Sequence, residues 1–196
     1  VGLLSLEHQA ISHVTGSASW LGLELAKGNL AQVLHLALVI VAFFFGAALS
    51  GWIIKDATLK LGRRYSLCLL IEALLLFAAL KGFSSDAPTA SLSASAACGI
   101  QNAMVSTYSG AVIRTTHITG TVTDLGIYFG HWLRGIPVEA RRVRLHGLVV
   151  VGFLIGATGG AVAWLRWSFA ALWLPVVICV ALAAAYSIYR HQHLLP

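Results

Sequence analysis

The sequence has little charge for its length, and this scarcity excludes an ordinary soluble domain. Only 10% of its 196 residues are charged and 58% are hydrophobic, with a mean hydropathy of +0.83. Soluble domains carry about 25% charged residues. Because a single core cannot absorb so much apolar surface, we expect lipid to be the solvent of this chain, whose length suits one domain.

Cysteine and catalytic motifs are also scarce. Cys68, Cys98 and Cys179 are far apart inside apolar runs, with no CxxC spacing. An odd number of dispersed cysteines gives no disulfide framework, so we expect buried, inert thiols. The sequence also has no HExxH motif and no P-loop. We therefore expect a protein that is not an enzyme, and the sequence makes no prediction of a cofactor.

The basic residues do not indicate a nucleic-acid partner, although the formal net charge is +6. Lysine and arginine occur in short runs between apolar stretches, as they do at the cytoplasmic ends of membrane helices. The expected partner is the lipid bilayer, with other membrane subunits as a further alternative.

Five stretches are apolar enough to cross a bilayer, which takes about 20 helical residues. They are residues 31–54, 65–80, 89–113, 145–165 and 168–189. Two further segments, 12–27 and 116–134, are apolar but contain a Thr-Gly step and scattered His, Ser and Thr. We predict that these two segments are broken at the Thr-Gly step.

The two Thr-Gly segments are copies of each other. The pattern xHxTGxxxxLG occurs at residues 12–22 and again at 116–126, an offset of 104. Downstream, FFFGA at 43–47 matches FLIGA at 153–157, an offset of 110. Two matched patterns in the same order indicate an internal duplication.

The duplication predicts the fold. A single transmembrane domain, 1–196, would contain repeat 1 (1–82) and repeat 2 (88–190), each with one crossing, a broken segment and two more crossings. Three crossings is an odd number, so the second repeat would be inverted. We expect an all-α, polytopic membrane bundle of about six transmembrane helices. A complete first repeat would need roughly 12 to 15 more apolar residues before Val1 to span the bilayer.

The distribution of basic residues supports the inverted arrangement. Three of them, Lys27, Lys81 and Arg166, would face one side, and the other ten would face the opposite side. The ten are Lys55, Lys60, Arg63, Arg64, Arg114, Arg134, Arg141, Arg142, Arg144 and Arg190. The positive-inside rule makes the richer side cytoplasmic, with both termini there. Thr-Gly segments that crossed fully would instead make the repeats parallel, which this bias disfavours.

The matched motif residues are the first candidate site. Half-helix ends at membrane depth offer partial charges to a solute or ion. Thr15 and Thr119 could cap the helices that follow. His13 and His117 could bind a metal or haem, relay protons, bind an anion when charged, or only hydrogen-bond at a helix end. The alternative to a shared central site is a pair of turns at the membrane interface.

Five other polar residues lie in or beside apolar stretches. Glu72 is the only charge in its span, so we expect it in the bundle interior, paired or protonated. Its role could be a proton or cation site or a structural hydrogen bond. Arg114 and Asp124 are the expected ion pair, with Glu72 as an alternative partner. Gln101 and Asn102 either join helices or contribute to the site.

Residues 99–103 (GIQNA) and 114–126 (RTTHITGTVTDLG) resemble the signature of the YoaK-like bacterial integral membrane family, a group of unknown function. Residues 12–16 and 71–74 are similar to it as well. The resemblance covers nearly the whole chain, although Ser17 stands where the family usually has Asn. It implies the bacterial inner membrane and about six crossings, and it implies no reaction.

Three functions are consistent with these patterns. The first is a small-solute or ion transporter or channel, with its site between the two HxTG segments. The second is a non-catalytic accessory subunit of a larger membrane complex, docking partners, lipids or pigments through its helix faces. An intramembrane enzyme or cofactor-binding protein that uses the histidines ranks last, because no catalytic spacing supports it.

Overall fold

The computed structural model describes residues 11–54, 63–109 and 114–193, and these residues form helices and turns without a strand. The helices are α1 (Val14–Lys27), α2 (Leu30–Ile53), α3 (Arg63–Ser84), α4 (Ala90–Tyr108), α5 (Ile118–Leu133), α6 (Ala140–Trp167) and α7 (Trp173–His193). A 3-10 turn, Ser168–Leu172, joins α6 to α7. The all-α fold class is therefore confirmed. The fifth apolar stretch becomes an α-helix only from Trp173.

Three segments of the described chain are long and apolar enough to cross a membrane. They lie at Leu30–Ile53, Arg64–Ser84 and Ala140–Ile188, and the last contains α6, the 3-10 turn and α7. These segments indicate a membrane protein. The larger number of about six crossings and the inversion of the repeats stay predictions.

Helix α4 lies inside the bundle, packed against α2 and α3, and α3 also packs against α7. Six of the eight buried residues of α4 are Ala, Ser or Gly, which lets neighbouring helices approach closely. A Cβ on Gly46 of α2 would collide with the backbone of Ala96, and a Cβ on Gly99 would collide with the carbonyl of Phe43. Ser95 donates a hydrogen bond of 2.8 Å to the Val39 carbonyl. Because protein rather than lipid surrounds α4, the helix does not need the apolarity of a lipid-facing span.

The hairpin of α1 and α2 has a well-defined turn. Gly28 adopts a left-handed conformation with φ of 73°, which glycine tolerates without a Cβ clash. The Asn29 side chain accepts a hydrogen bond from the Gln32 amide and so caps α2. Glu24 accepts hydrogen bonds from Lys27 and Asn29 at 2.8 and 2.9 Å. These contacts fix the end of α1 against the start of α2.

The predicted break at each Thr-Gly step is wrong. Helix α1 starts at Val14 and α5 at Ile118, so each Thr-Gly lies in the first helical turn. His13 and His117 occupy the N-cap positions. Their carbonyls accept bonds of 3.1 Å from the amides of Ser17 and Thr121, which close the first turn. The non-helical chain precedes the motif.

The predicted caps are wrong for the same reason. A capping side chain must belong to the residue before the helix. Thr15 and Thr119 are each the second residue of a helix, where their carbonyls accept from Ser19 and Thr123.

Candidate functional site

A cavity of about 670 Å³, here called the central cavity, lies between the start of α1 and the small-residue face of α6. Four polar side chains line it besides Ser12: His13 from the first motif, Gln101 from α4, and Thr115 and Thr116. The two threonines directly precede His117, so residues adjoining both HxTG motifs meet here.

The ring of His13 has a defined place at this cavity. Its Nδ1 lies 3.0 Å from the Ser12 hydroxyl, and the ring meets Phe153 edge to face, with centroids 5.8 Å apart. His13 is also half-buried and lines a second cavity of about 440 Å³, here called the inner cavity. Ser12, His13 and Gly156 line both, so these residues form the junction between the two cavities.

Asn102 shapes the central cavity without lining it. Its side-chain amide donates to the Thr116 hydroxyl at 2.6 Å, and its carbonyl oxygen accepts from the Thr115 hydroxyl at 3.1 Å. Both polar ends of one side chain therefore hold the residues just before α5. Gln101, its neighbour, faces the cavity. Asn102 therefore joins α4 to the residues before α5, whereas Gln101 lines the cavity.

The other motif residues lie elsewhere. His117, Thr15 and Thr119 are exposed, and none of them lines a cavity described here. The His117 ring lies over Gly120, where a Cβ would collide with it. The two histidines that the repeat equates thus have different surroundings, and their meeting at one shared ligand stays a prediction.

Asp124 has a partner that the sequence did not predict. Its Oδ2 lies 3.3 Å from Nε2 of His146 on α6, and Nδ1 of His146 lies 2.8 Å from the Arg142 carbonyl. Among the described residues, no ion pair joins Asp124 to Arg114, which is exposed. The pairing follows from α5 packing against α6, which brings a half-exposed carboxylate beside a buried imidazole. The missed signal was His146, which follows three arginines near the start of α6.

Glu72 faces the bundle interior, as the sequence predicts. The residue is 4% exposed, and its Oε2 has no hydrogen-bond partner among the described residues. Cys68, Cys98 and Cys179 all interact electrostatically with the carboxyl. The three thiols are free, and Cys68 and Cys179 are buried. Of the three, Cys179 donates a hydrogen bond to the carboxyl from a different helix, α7.

A third cavity of about 290 Å³, here called the tyrosine cavity, was not predicted. Tyr65, Tyr108 and Tyr186 line it together with Leu69, Met104, Val105 and Leu182. The rings of Tyr65 and Tyr108 meet edge to face, with centroids 6.3 Å apart. Sequence inspection could not group these tyrosines, because they lie on three different helices.

In the part of the chain that the structure describes, no group of three or more His, Cys, Asp or Glu is placed to hold a metal ion. The central cavity offers hydrogen-bonding groups and the His13 imidazole, and the Glu72 carboxyl is buried separately within α3.

Comparison with known proteins identifies the family of this chain and nothing more specific. No curated protein and no solved structure matches it. The YoaK-like name therefore rests on resemblance. A family described as "Protein of unknown function (DUF1275)" matches residues 1–185, nearly the whole chain. The chain belongs to the DUF1275 family.

Proposed function

We propose that this protein moves a small solute or ion across the bacterial inner membrane, and that the central cavity is its binding site. One observation carries the proposal. Polar side chains that adjoin both HxTG motifs meet in a cavity along α6, which lies in one of the three segments long and apolar enough to span a membrane. Polar groups at membrane depth are costly and commonly mark a solute pathway.

The side chains that line the central cavity indicate which chemical class of solute it would bind. His13, Gln101, Thr115 and Thr116 offer hydroxyl, amide and imidazole groups, and the described lining contains no carboxylate. Such a site suits a small polar solute or an anion better than a cation. The volume of about 670 Å³ falls within the range of about 300–1,000 Å³ usual for ligand sites.

The repeat supplies a mechanism for access from both sides. Two inverted repeats within the single domain 1–196 would allow the cavity to open to either face by rocking one repeat against the other. In this proposal the protein is not an enzyme, and its partner is the bilayer.

The test uses the full chain in liposomes. We expect stopped-flow light scattering to show faster entry of at least one of urea, glycerol, potassium chloride and potassium phosphate than in empty liposomes. His13→Ala should weaken the apparent affinity for that solute by up to about 10-fold. One hydrogen bond contributes about 0.5–1.5 kcal/mol, and 1.4 kcal/mol is tenfold in affinity.

His131→Ala is the matched control, because His131 is exposed in the last turn of α5. It should leave the affinity unchanged. Entry of all four solutes at the rate of empty liposomes, or equal effects of the two histidine variants, would contradict the proposal.

A further inference from the structure

The inner cavity and the tyrosine cavity lie at two levels of the same three helices. On α3, Leu76 and Phe83 line the inner cavity, and Tyr65 and Leu69 line the tyrosine cavity. Helix α4 repeats this order: Ala94 and Cys98 line the inner cavity, and Met104 and Tyr108 line the other. On α7, Pro175 and Ile178 face the inner cavity, and Leu182 and Tyr186 face the tyrosine cavity. The two cavities are therefore separated by one layer of α3, α4 and α7.

Glu72 lies in that layer. It falls between Leu69 and Leu76, which line opposite cavities and are about 10 Å apart along the helix at 1.5 Å per residue. Cys179 lies at the same level of α7, between Ile178 and Leu182. The rest of the layer is apolar, since Ala73, Leu76, Ala97 and Val176 pack with Cys179 in one buried cluster. A carboxyl group is thus the polar element of a thin apolar barrier.

The groups that face Glu72 leave one of its oxygens without a partner. Among the described residues, the ionisable groups that act on the carboxyl are thiols: Cys179 of α7 donates a hydrogen bond to it, and Cys68 of α3 and Cys98 of α4 act electrostatically. Oε2 has no hydrogen-bond partner among the described residues. A carboxyl group binds a proton on one of its two oxygens, and Oε2 can accept it.

We propose that Glu72 binds and releases a proton in the barrier between the inner and tyrosine cavities, and so couples solute movement to a pH gradient. This inference rests on the proposed transport function. The proton would bind Oε2 from one cavity and leave to the other. Ser12, His13 and Gly156 line both the inner and the central cavity, so the barrier that contains Glu72 borders a cavity adjacent to the proposed solute site.

The first test asks whether Glu72 exchanges a proton. The full chain in liposomes is treated with dicyclohexylcarbodiimide, an apolar reagent that adds to protonated carboxyl groups. Peptide mass spectrometry should find the adduct on Glu72, with a yield that falls as the pH rises. Glu24 is an internal control. The hydrogen bond from Lys27 lowers the pKa of the Glu24 carboxyl. Glu24 should therefore stay ionised and unlabelled at the pH values at which Glu72 is labelled. An unlabelled Glu72, or a yield independent of pH, would overturn the inference.

The second test separates a proton site from a structural carboxyl. Liposomes loaded with the pH dye pyranine report proton entry driven by whichever solute the swelling experiment finds active. Glu72→Gln should keep solute exchange and lose proton entry, and Glu72→Asp should keep both. Loss of exchange and proton entry together in Glu72→Gln, with exchange intact in Glu72→Asp, would overturn the coupling role.

The two proposals fail in different ways. If no solute enters faster than in empty liposomes while labelling of Glu72 still follows pH, the transport function is contradicted and the proton site stands. If a solute enters without proton movement in the unmodified protein, the coupling is contradicted and the transport function stands.

Discussion

At the scale of single residues, Gly46 and Gly156 are equivalent in the repeat but not in their surroundings. Gly46 is buried against the backbone of Ala96, which leaves no room for a Cβ. Gly156 is exposed on α6, and nothing lies within 4 Å of the place where its Cβ would be. The same residue type in the same sequence pattern therefore allows close helix packing at one position and borders open cavity space at the other.

This difference predicts opposite effects of alanine. Gly46→Ala should lower the free energy of unfolding by about 1–3 kcal/mol. The new Cβ would collide with backbone atoms of Ala96 in α4, and a helix backbone cannot change rotamer to relieve the clash. Gly156→Ala should be neutral or stabilising by up to about 1 kcal/mol through helix propensity. Thermal unfolding in detergent measures both. Equal destabilisation by the two variants would contradict the packing of α2 against α4.

At the scale of elements, the start of α5 depends on a side chain from another helix. Among the described residues, neither Thr119 nor the N-cap residue His117 provides a side-chain cap for α5. Asn102 of α4 instead hydrogen-bonds Thr115 and Thr116, which immediately precede the helix. One amide thus attaches α5 to the buried helix and sets one wall of the central cavity.

Removal of that amide should loosen the attachment. We expect Asn102→Leu to lower the free energy of unfolding by about 0.6–2 kcal/mol, the contribution of hydrogen bonds between membrane helices. Hydrogen exchange at the amides of Thr115 and Thr116 should become faster. Thr107→Val is the matched control, since the Thr107 hydroxyl donates to the Ala103 carbonyl of its own helix. Unchanged exchange in Asn102→Leu would show that other contacts hold this segment.

At the scale of the whole molecule, the inverted repeat makes a prediction about sidedness. The richly basic side should be cytoplasmic by the positive-inside rule. Single cysteines at Lys60 and Ala140 should therefore react with an impermeant thiol reagent from the cytoplasmic face, and a cysteine at Lys81 from the opposite face. The parent chain sets the baseline, because its own three thiols lie within helices. Labelling of positions 60 and 140 from opposite faces would exclude the inverted arrangement.

Several features were predictable because they depend on local sequence alone. Hydropathy predicted apolar stretches in all three segments that are long enough to cross a membrane, and α2 falls within one residue of its predicted limits. The repeated HxTG pattern marked the starts of α1 and α5, although the helices begin before the threonine rather than after it. A lone carboxyl within an apolar span, Glu72, was correctly expected in the interior.

Other features were decided only when distant segments met in the tertiary structure. Whether His13 or His117 reaches a cavity depends on which helix covers each of them, and the motif is the same for both. Asp124 lies beside His146 because α5 and α6 are adjacent, although Arg114 is nearer along the chain. The layer around Glu72 likewise combines residues from three helices. Hydropathy and helix propensity act through nearby residues, whereas the partners of a buried polar group are fixed by packing across the bundle.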